Sequence, residues 1–125
     1  MQATGQWSSS KVVASATWPG VELVLARMSF GRRLELMKRV RDLAGKAEFF
    51  EAGTGEKSRI EAGVLSAEID RLYVAWGVAE VRGLELDGQP ATVAMLIDSG
   101  PEELFREALG AVKAECGLGE QERKN

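Results

Sequence analysis

Histidine is missing from this chain, and cysteine occurs once, at Cys116. Without histidine no side chain has an ordinary pKa near neutrality, so nucleophile-and-base chemistry of the usual kind has no base to build on. A single thiol cannot close an intramolecular disulfide, and zinc sites of the Cys/His type have too few ligands. No apolar run approaches the roughly 20 residues that a membrane-spanning helix needs. The first 20 residues lack a basic segment followed by an uninterrupted apolar one, so they do not read as a secretory signal. Paired acids occur at Glu102–Glu103 and Glu120–Glu122, where helix starts normally place them. Gly53 to Ser58 faintly resembles a phosphate loop but lacks its spacing and the strand before it. This inventory predicts no catalytic residue, no metal ligand and no cofactor, and hence a protein that is not an enzyme.

What is present points to a globular domain. The 125 residues fit one core, 45% of them are hydrophobic, and 16 basic against 19 acidic side chains give a net charge of −3. The charge is unevenly spread. Arg27 to Lys46 holds seven basic and two acidic residues, whereas Glu48 to Asp70 holds six acidic and two basic. Such polarity suits self-association or an oriented partner, and it equally suits solvated helix faces.

Ser58 to Trp76 is the stretch around which the chain is organised. At about 100° per residue, Leu65, Ile69, Leu72 and Trp76 form one apolar stripe, and Ile60, Val64, Ala67 and Val74 form a second roughly opposite it. Two stripes imply cover on both sides, from the rest of the domain or from another chain. Ser58 and Glu61 read as a capping box at the start of this helix, and Gly77 as its end. Before it, Val21 to Arg27 alternates as a strand after the Thr17-Trp18-Pro19-Gly20 turn, and Ser29 caps a long helix that runs to about Ala52. After it, a strand is predicted from Val78 or Glu80 to Leu86, with Val81 to Leu86 pairing with Val21 to Arg27, and Asp87-Gly88 turning the chain. A third strand could come from Lys11 to Ala16 or from Gln89 to Thr92. Thr92 caps a short helix over Val93 to Asp98. Pro101 opens the last helix at its first position, with Leu104, Phe105, Ala108, Leu109, Val112 and Cys116 on one face and Gly117 at its end. The predicted fold is α+β and mainly helical, three to four helices packed with a small antiparallel sheet. It divides into a flexible N-terminal arm over 1–18, a single domain over 19–117 and a polar C-terminal tail over 118–125.

Candidate partner-facing residues follow from charge and exposure. Trp7 is the one large apolar side chain of the arm, Arg32, Arg33 and Arg39 are cationic positions of the long helix, and Ile60 and Val64 qualify if their stripe is not covered internally. Wrapped on a helix the basic residues spread around most of the circumference, and Glu35 and Asp42 interrupt them. No aromatic platform or helix-turn-helix spacing accompanies them, which argues against nucleic acid.

Several segments together carry a likeness to a known family. These are Pro19-Gly20 before a strand, Arg27-Met28-Ser29-Phe30-Gly31-Arg32-Arg33 opening a long helix, and Leu72-Tyr73 with Trp76-Gly77. Gly83-Leu84 with Asp87-Gly88, Gly100-Pro101-Glu102-Glu103-Leu104 and Glu122-Arg123-Lys124-Asn125 complete the set. With these the chain resembles the tail assembly chaperones of bacteriophages and prophages, over most of its length after Trp18. The resemblance implies a non-enzymatic assembly factor in the host bacterial cytoplasm that binds the tape-measure and tail-tube proteins during tail morphogenesis, with a possible homo-oligomer and no membrane. The family has no catalytic residues to carry over. A structural component of the tail or of the head-tail connector, and a small nucleic-acid-binding regulator, are the alternative readings.

Overall fold

The computed structural model describes residues 3–118. The elements run β1 (Ser10–Ala14), β2 (Glu22–Ala26), α1 (Phe30–Glu51), α2 (Glu56–Gly77), β3 (Val78–Arg82), β4 (Glu85–Leu86), β5 (Gln89–Pro90), α3 (Val93–Ser99) and α4 (Glu102–Glu115). This is the mainly helical α+β architecture expected from the sequence, four helices with a small antiparallel sheet.

β2 is the central strand of the sheet β1-β2-β3. Its partner is not Val81 to Leu86 but Val78–Arg82, because Gly83 takes φ +78 and turns the chain out of the sheet. A Cβ on Gly83 would collide with the Gly20 carbonyl oxygen, so the close approach of the two turns also demands glycine there. Glu85–Leu86 instead folds back on Gln89–Pro90 as a separate ribbon. Its turn residues, Asp87 at φ 53 and Gly88 at φ 78, have the positive dihedrals of a tight hairpin. The third strand is β1, in full register with β2 from Ser10↔Ala26 to Ala14↔Glu22. Between Val24 and Leu25 the β2–β3 register shifts. This irregularity lets Val78 and Val81, three apart rather than two, both be buried.

One face of the sheet carries Leu23, Leu25, Val78 and Val81 into the core, where they meet Tyr73 and Val74 of α2, Leu96 of α3 and the α4 face of Leu104, Ala108, Leu109 and Val112. Leu23, Leu25, Leu36, Leu96, Leu104, Val74 and Val112 are almost entirely enclosed. Each such side chain contributes about 1.5–3 kcal/mol through removal from water. α4 ends in a Schellman turn: Gly117, at φ 79, donates its N–H to the Ala114 carbonyl (3.1 Å) and Leu118 donates to Lys113 (2.8 Å). Leu118 packs on the core, and the remainder of the predicted tail lies outside the described residues.

Helix starts follow the sequence at two places and depart from it at two. Ser29 accepts a hydrogen bond from the Arg32 N–H (3.2 Å) and Thr92 from the Met95 N–H (3.1 Å), so both are N-caps. α2, however, begins at Glu56 with Gly55 as its cap at φ 95, and Ser58 lies inside the first turn. The short α1–α2 connection needs an extended left-side dihedral that only glycine supplies cheaply, and this overrides the capping box. Pro101 is likewise the cap of α4 rather than its first helical residue. At the other end of α2, Gly77 is not a stop signal in the usual sense, for the helix includes it and runs straight into β3. A Cβ there would run into the Val112 side chain, so Gly77 lets α2 and α4 pack closely.

Candidate functional site

α1 and α2 form an antiparallel hairpin that is anchored only near its base. The fully buried residues of α2 are Tyr73, Val74 and Gly77, all within its last five positions, and those of α1 are Leu36 and Ala47. The Leu65, Ile69, Leu72 and Trp76 stripe is half-buried along the α1–α2 pair. The second stripe divides. Val74 is enclosed, whereas Ile60 and Val64 stand 57% and 50% exposed, so internal packing covers the stripe only at the base. Two exposed ion pairs mark the limit of that cover, Arg71 to Asp98 of α3 and Arg106 of α4 to Asp70, both at 2.9 Å. Beyond them towards the tip, α2 presents Ile60, Val64 and Ala67 to solvent.

Trp76 closes the base of the hairpin. Its indole N–H donates to the Arg32 carbonyl (3.2 Å), and the Arg32 guanidinium donates back to the Trp76 carbonyl (2.8 Å) in the last turn of α2. A cation at a helix C-terminus is favourable in itself, since it satisfies a free carbonyl and meets the negative end of the helix dipole. Arg39 joins Arg32 over the Trp76 ring, at 4.7 and 4.9 Å from its centroid. Two of the three arginines singled out by the sequence therefore converge on one aromatic side chain. The third, Arg33, points elsewhere, close enough to Cys116 at the end of α4 to act on its thiol electrostatically. Burial outweighs that influence and pushes the Cys116 thiol up, which makes it an inert core group.

An open groove of about 520 Å³ lies beside Trp76, between the start of β1, the end of β2 and the start of β3. Trp7, Arg27, Arg32, Trp76 and Ala79 are among its walls, and no acidic side chain lines it. Trp7 is 65% exposed there. Arg27 was not apparent as a site residue in the sequence, because only pairing of β1 with β2 brings it beside Trp7.

The densest polar cluster sits on the other side of the sheet end. Glu107 of α4 accepts from the Ser15 hydroxyl (2.6 Å), the Ala16 N–H (2.7 Å) and the Thr17 hydroxyl (2.8 Å). The Trp18 indole N–H donates to Glu103 one turn earlier (3.1 Å). Burial opposes the charge on Glu107, but the hydrogen bonds together prevail and hold its carboxyl below the usual glutamate range. All four loop residues are occupied in this clamp, which fixes the β1–β2 connection to α4. Burial, with the nearby charges of Cys116 and Asp70, raises the Tyr73 hydroxyl.

Among the described residues no group of three or more His, Cys, Asp or Glu side chains is arranged to hold a metal ion, and no helix is long and apolar enough to cross a membrane. Among the described residues, two surface features stand out, an uncovered apolar helix face and a cationic, aromatic groove. Comparison with known protein families, with curated proteins and with solved structures finds no match to this chain.

Proposed function

We propose that this chain is a non-enzymatic assembly factor whose helical hairpin receives an amphipathic helix of a client, and that the clients are the tape-measure and tail-tube proteins of a bacteriophage or prophage tail in the host cytoplasm. The observation that carries the first part is the divided stripe of α2. Val74 is buried under the body of the fold while Ile60 and Val64, on the same side of the helix, are half exposed or more. A client helix laid along the distal half of α2 would extend the cover that the fold supplies at the base, as amphipathic helices do in apolar grooves. The segments from Pro19-Gly20 to Glu122-Arg123-Lys124-Asn125 that resemble tail assembly chaperones support the choice of client.

The test is affinity capture of the tagged chain from cells expressing its native gene neighbourhood, with nuclease treatment, beside an Ile60→Asp/Val64→Asp variant. The expected result is recovery of a very long helical protein and a tail-tube subunit, insensitive to nuclease and about tenfold weaker for the variant. Both positions are exposed, so the thermal midpoint of the variant stays close to that of the parent. Loss of every partner on nuclease treatment would instead favour a nucleic-acid regulator. Recovery of the chain alone, as a defined ring, would favour a structural component.

A further inference from the structure

The three-stranded sheet has two outer strands, β1 and β3, and they are not alike. β3 has a shifted register against β2 and carries Glu80 and Arg82, paired with each other at 2.9 Å. Irregular pairing and charge are the ordinary protections of an outer strand. β1 has neither. It lies in full register with β2, contains no proline, and bears one charge, Lys11, which Glu115 of α4 meets at 3.5 Å. The Arg27 N–H donates to the Ser9 carbonyl (2.9 Å) and the Ser15 N–H to the Val21 carbonyl (2.8 Å), which fixes the side of β1 that faces β2. By the alternation of an antiparallel ladder, Ser9, Lys11, Val13 and Ser15 bond β2, and Ser10, Val12 and Ala14 turn their N–H and C=O groups outward. Ser10 is served locally, its carbonyl by the Ser8 hydroxyl (3.0 Å) and its N–H by the same oxygen (3.4 Å). The outward groups of Val12 and Ala14 have no hydrogen-bond partner among the described residues. The Val12 side chain stands 48% exposed next to Val24, on the sheet face opposite the core side of Leu23 and Leu25.

We propose that β1 pairs antiparallel with β1 of a second copy of this chain about a two-fold axis at Val12, joining two three-stranded sheets into one of six strands. Full overlap of Ser10–Ala14 with itself sets Val12 opposite Val12 and Ser10 opposite Ala14. Outward-turned residues then face one another throughout, as a hydrogen-bonded ladder requires. Two features make the strand its own complement. Lys11 falls opposite Val13 and keeps its own Glu115, so no like charges stand directly across the seam. Val12, the exposed apolar side chain of the strand, meets its twin, and the two Val12–Val24 pairs merge into one apolar row. The interface joins the same patch on both molecules and therefore closes at a dimer. It uses none of the α2 residues assigned to a client, so its failure would leave that reading intact.

The purified chain alone provides the test, by sedimentation velocity from about 1 μM to 1 mM. The expected result is a monomer–dimer equilibrium that changes little between about 0.05 and 0.5 M salt, since no charge pair crosses the seam. Val12→Lys and Val12→Glu each set like charges against each other at the axis and weaken dimerisation about tenfold or more. Circular dichroism checks that both variants keep the parent fold, as the exposure of Val12 predicts. An equimolar mixture of the two is the decisive arm. A residue on the axis faces only its own counterpart, so the mixture pairs lysine with glutamate and recovers a dimer that neither variant forms alone. A chain that stays monomeric to about 1 mM, or one that associates beyond a dimer, would overturn the proposal. So would dimerisation indifferent to both substitutions, or a mixture no tighter than its components.

Discussion

Gly77 shows how a single residue can be read correctly in place and wrongly in cause. Glycine after an apolar helical run is the ordinary mark of a helix end, and α2 does end there. Yet the position is demanding because the Val112 side chain fills the space where a Cβ would stand. Gly77→Ala should therefore destabilise the fold by about 1–2 kcal/mol, overpacking outweighing the better helix propensity of alanine. Val112→Ala alone should cost about as much or more through the cavity it leaves. In the double variant the two changes should compensate, with a coupling of about 1 kcal/mol in a urea-unfolding cycle. Additive losses would mean that the two helices do not pack as closely as Gly77 and Val112 imply. No pattern of one sequence contains this contact, since 35 residues separate the partners.

At the scale of elements, the hairpin is held at its base by the exchange between Arg32 and Trp76. Arg32→Ala removes the cap on the Trp76 carbonyl and one of the two cations over its ring. The expected loss is about 1 kcal/mol of unfolding free energy. Arg32→Lys should recover only part of it, because an ammonium lacks the planar, forked donor set. Urea unfolding followed by tryptophan emission measures both, and an unchanged midpoint in Arg32→Ala would reduce the exchange to a surface decoration. The long helices themselves were legible from apolar spacing and from the Ser29 cap. The start of α2 was not. Ser58 and Glu61 have the right spacing for a capping box, but the turn geometry around Gly55 placed the cap three residues earlier. The strand after α2 was misplaced for a related reason: Leu84 and Leu86 alternate as a strand should, but Gly83 diverts them to the second ribbon.

The whole molecule is closed by the clamp of Glu107 on Ser15, Ala16 and Thr17, which ties the edge strand β1 and its turn to the last helix. Glu107→Gln weakens charge-assisted hydrogen bonds and should cost about 1–2 kcal/mol near neutral pH. The sign of its pH dependence follows from the direction of the shift. A carboxyl held below its unfolded pKa contributes its full stabilisation above that unfolded value and loses it as pH falls through the folded one. The stability difference between parent and Glu107→Gln should thus be constant from about pH 7 to 5 and shrink towards pH 3. Chemical denaturation across that range checks it. A difference that grows on acidification would mean that the carboxylate is not what the loop donors bind.

By itself the sequence determined the class of the fold, a count of three to four helices with their approximate extent, and the strand at Val21 to Arg27. These follow from local quantities: apolar period, turn residues, caps and composition, each decided within a few residues of chain. Tertiary structure alone decided which strand pairs with β2, why Gly77 and Gly83 must be glycine, and that Glu107 reaches the turn at Ser15 to Thr17. It also decided which of the candidate partner residues stand together. Arg32 and Arg39 meet on Trp76, Trp7 and Arg27 border the same groove, Arg33 lies apart, and Ile60 and Val64 remain uncovered. The physical reason is the same in each case. A period places side chains on a face, but whether that face meets protein or water depends on where distant segments end, and in this chain α3 and α4 cover only the base of the hairpin.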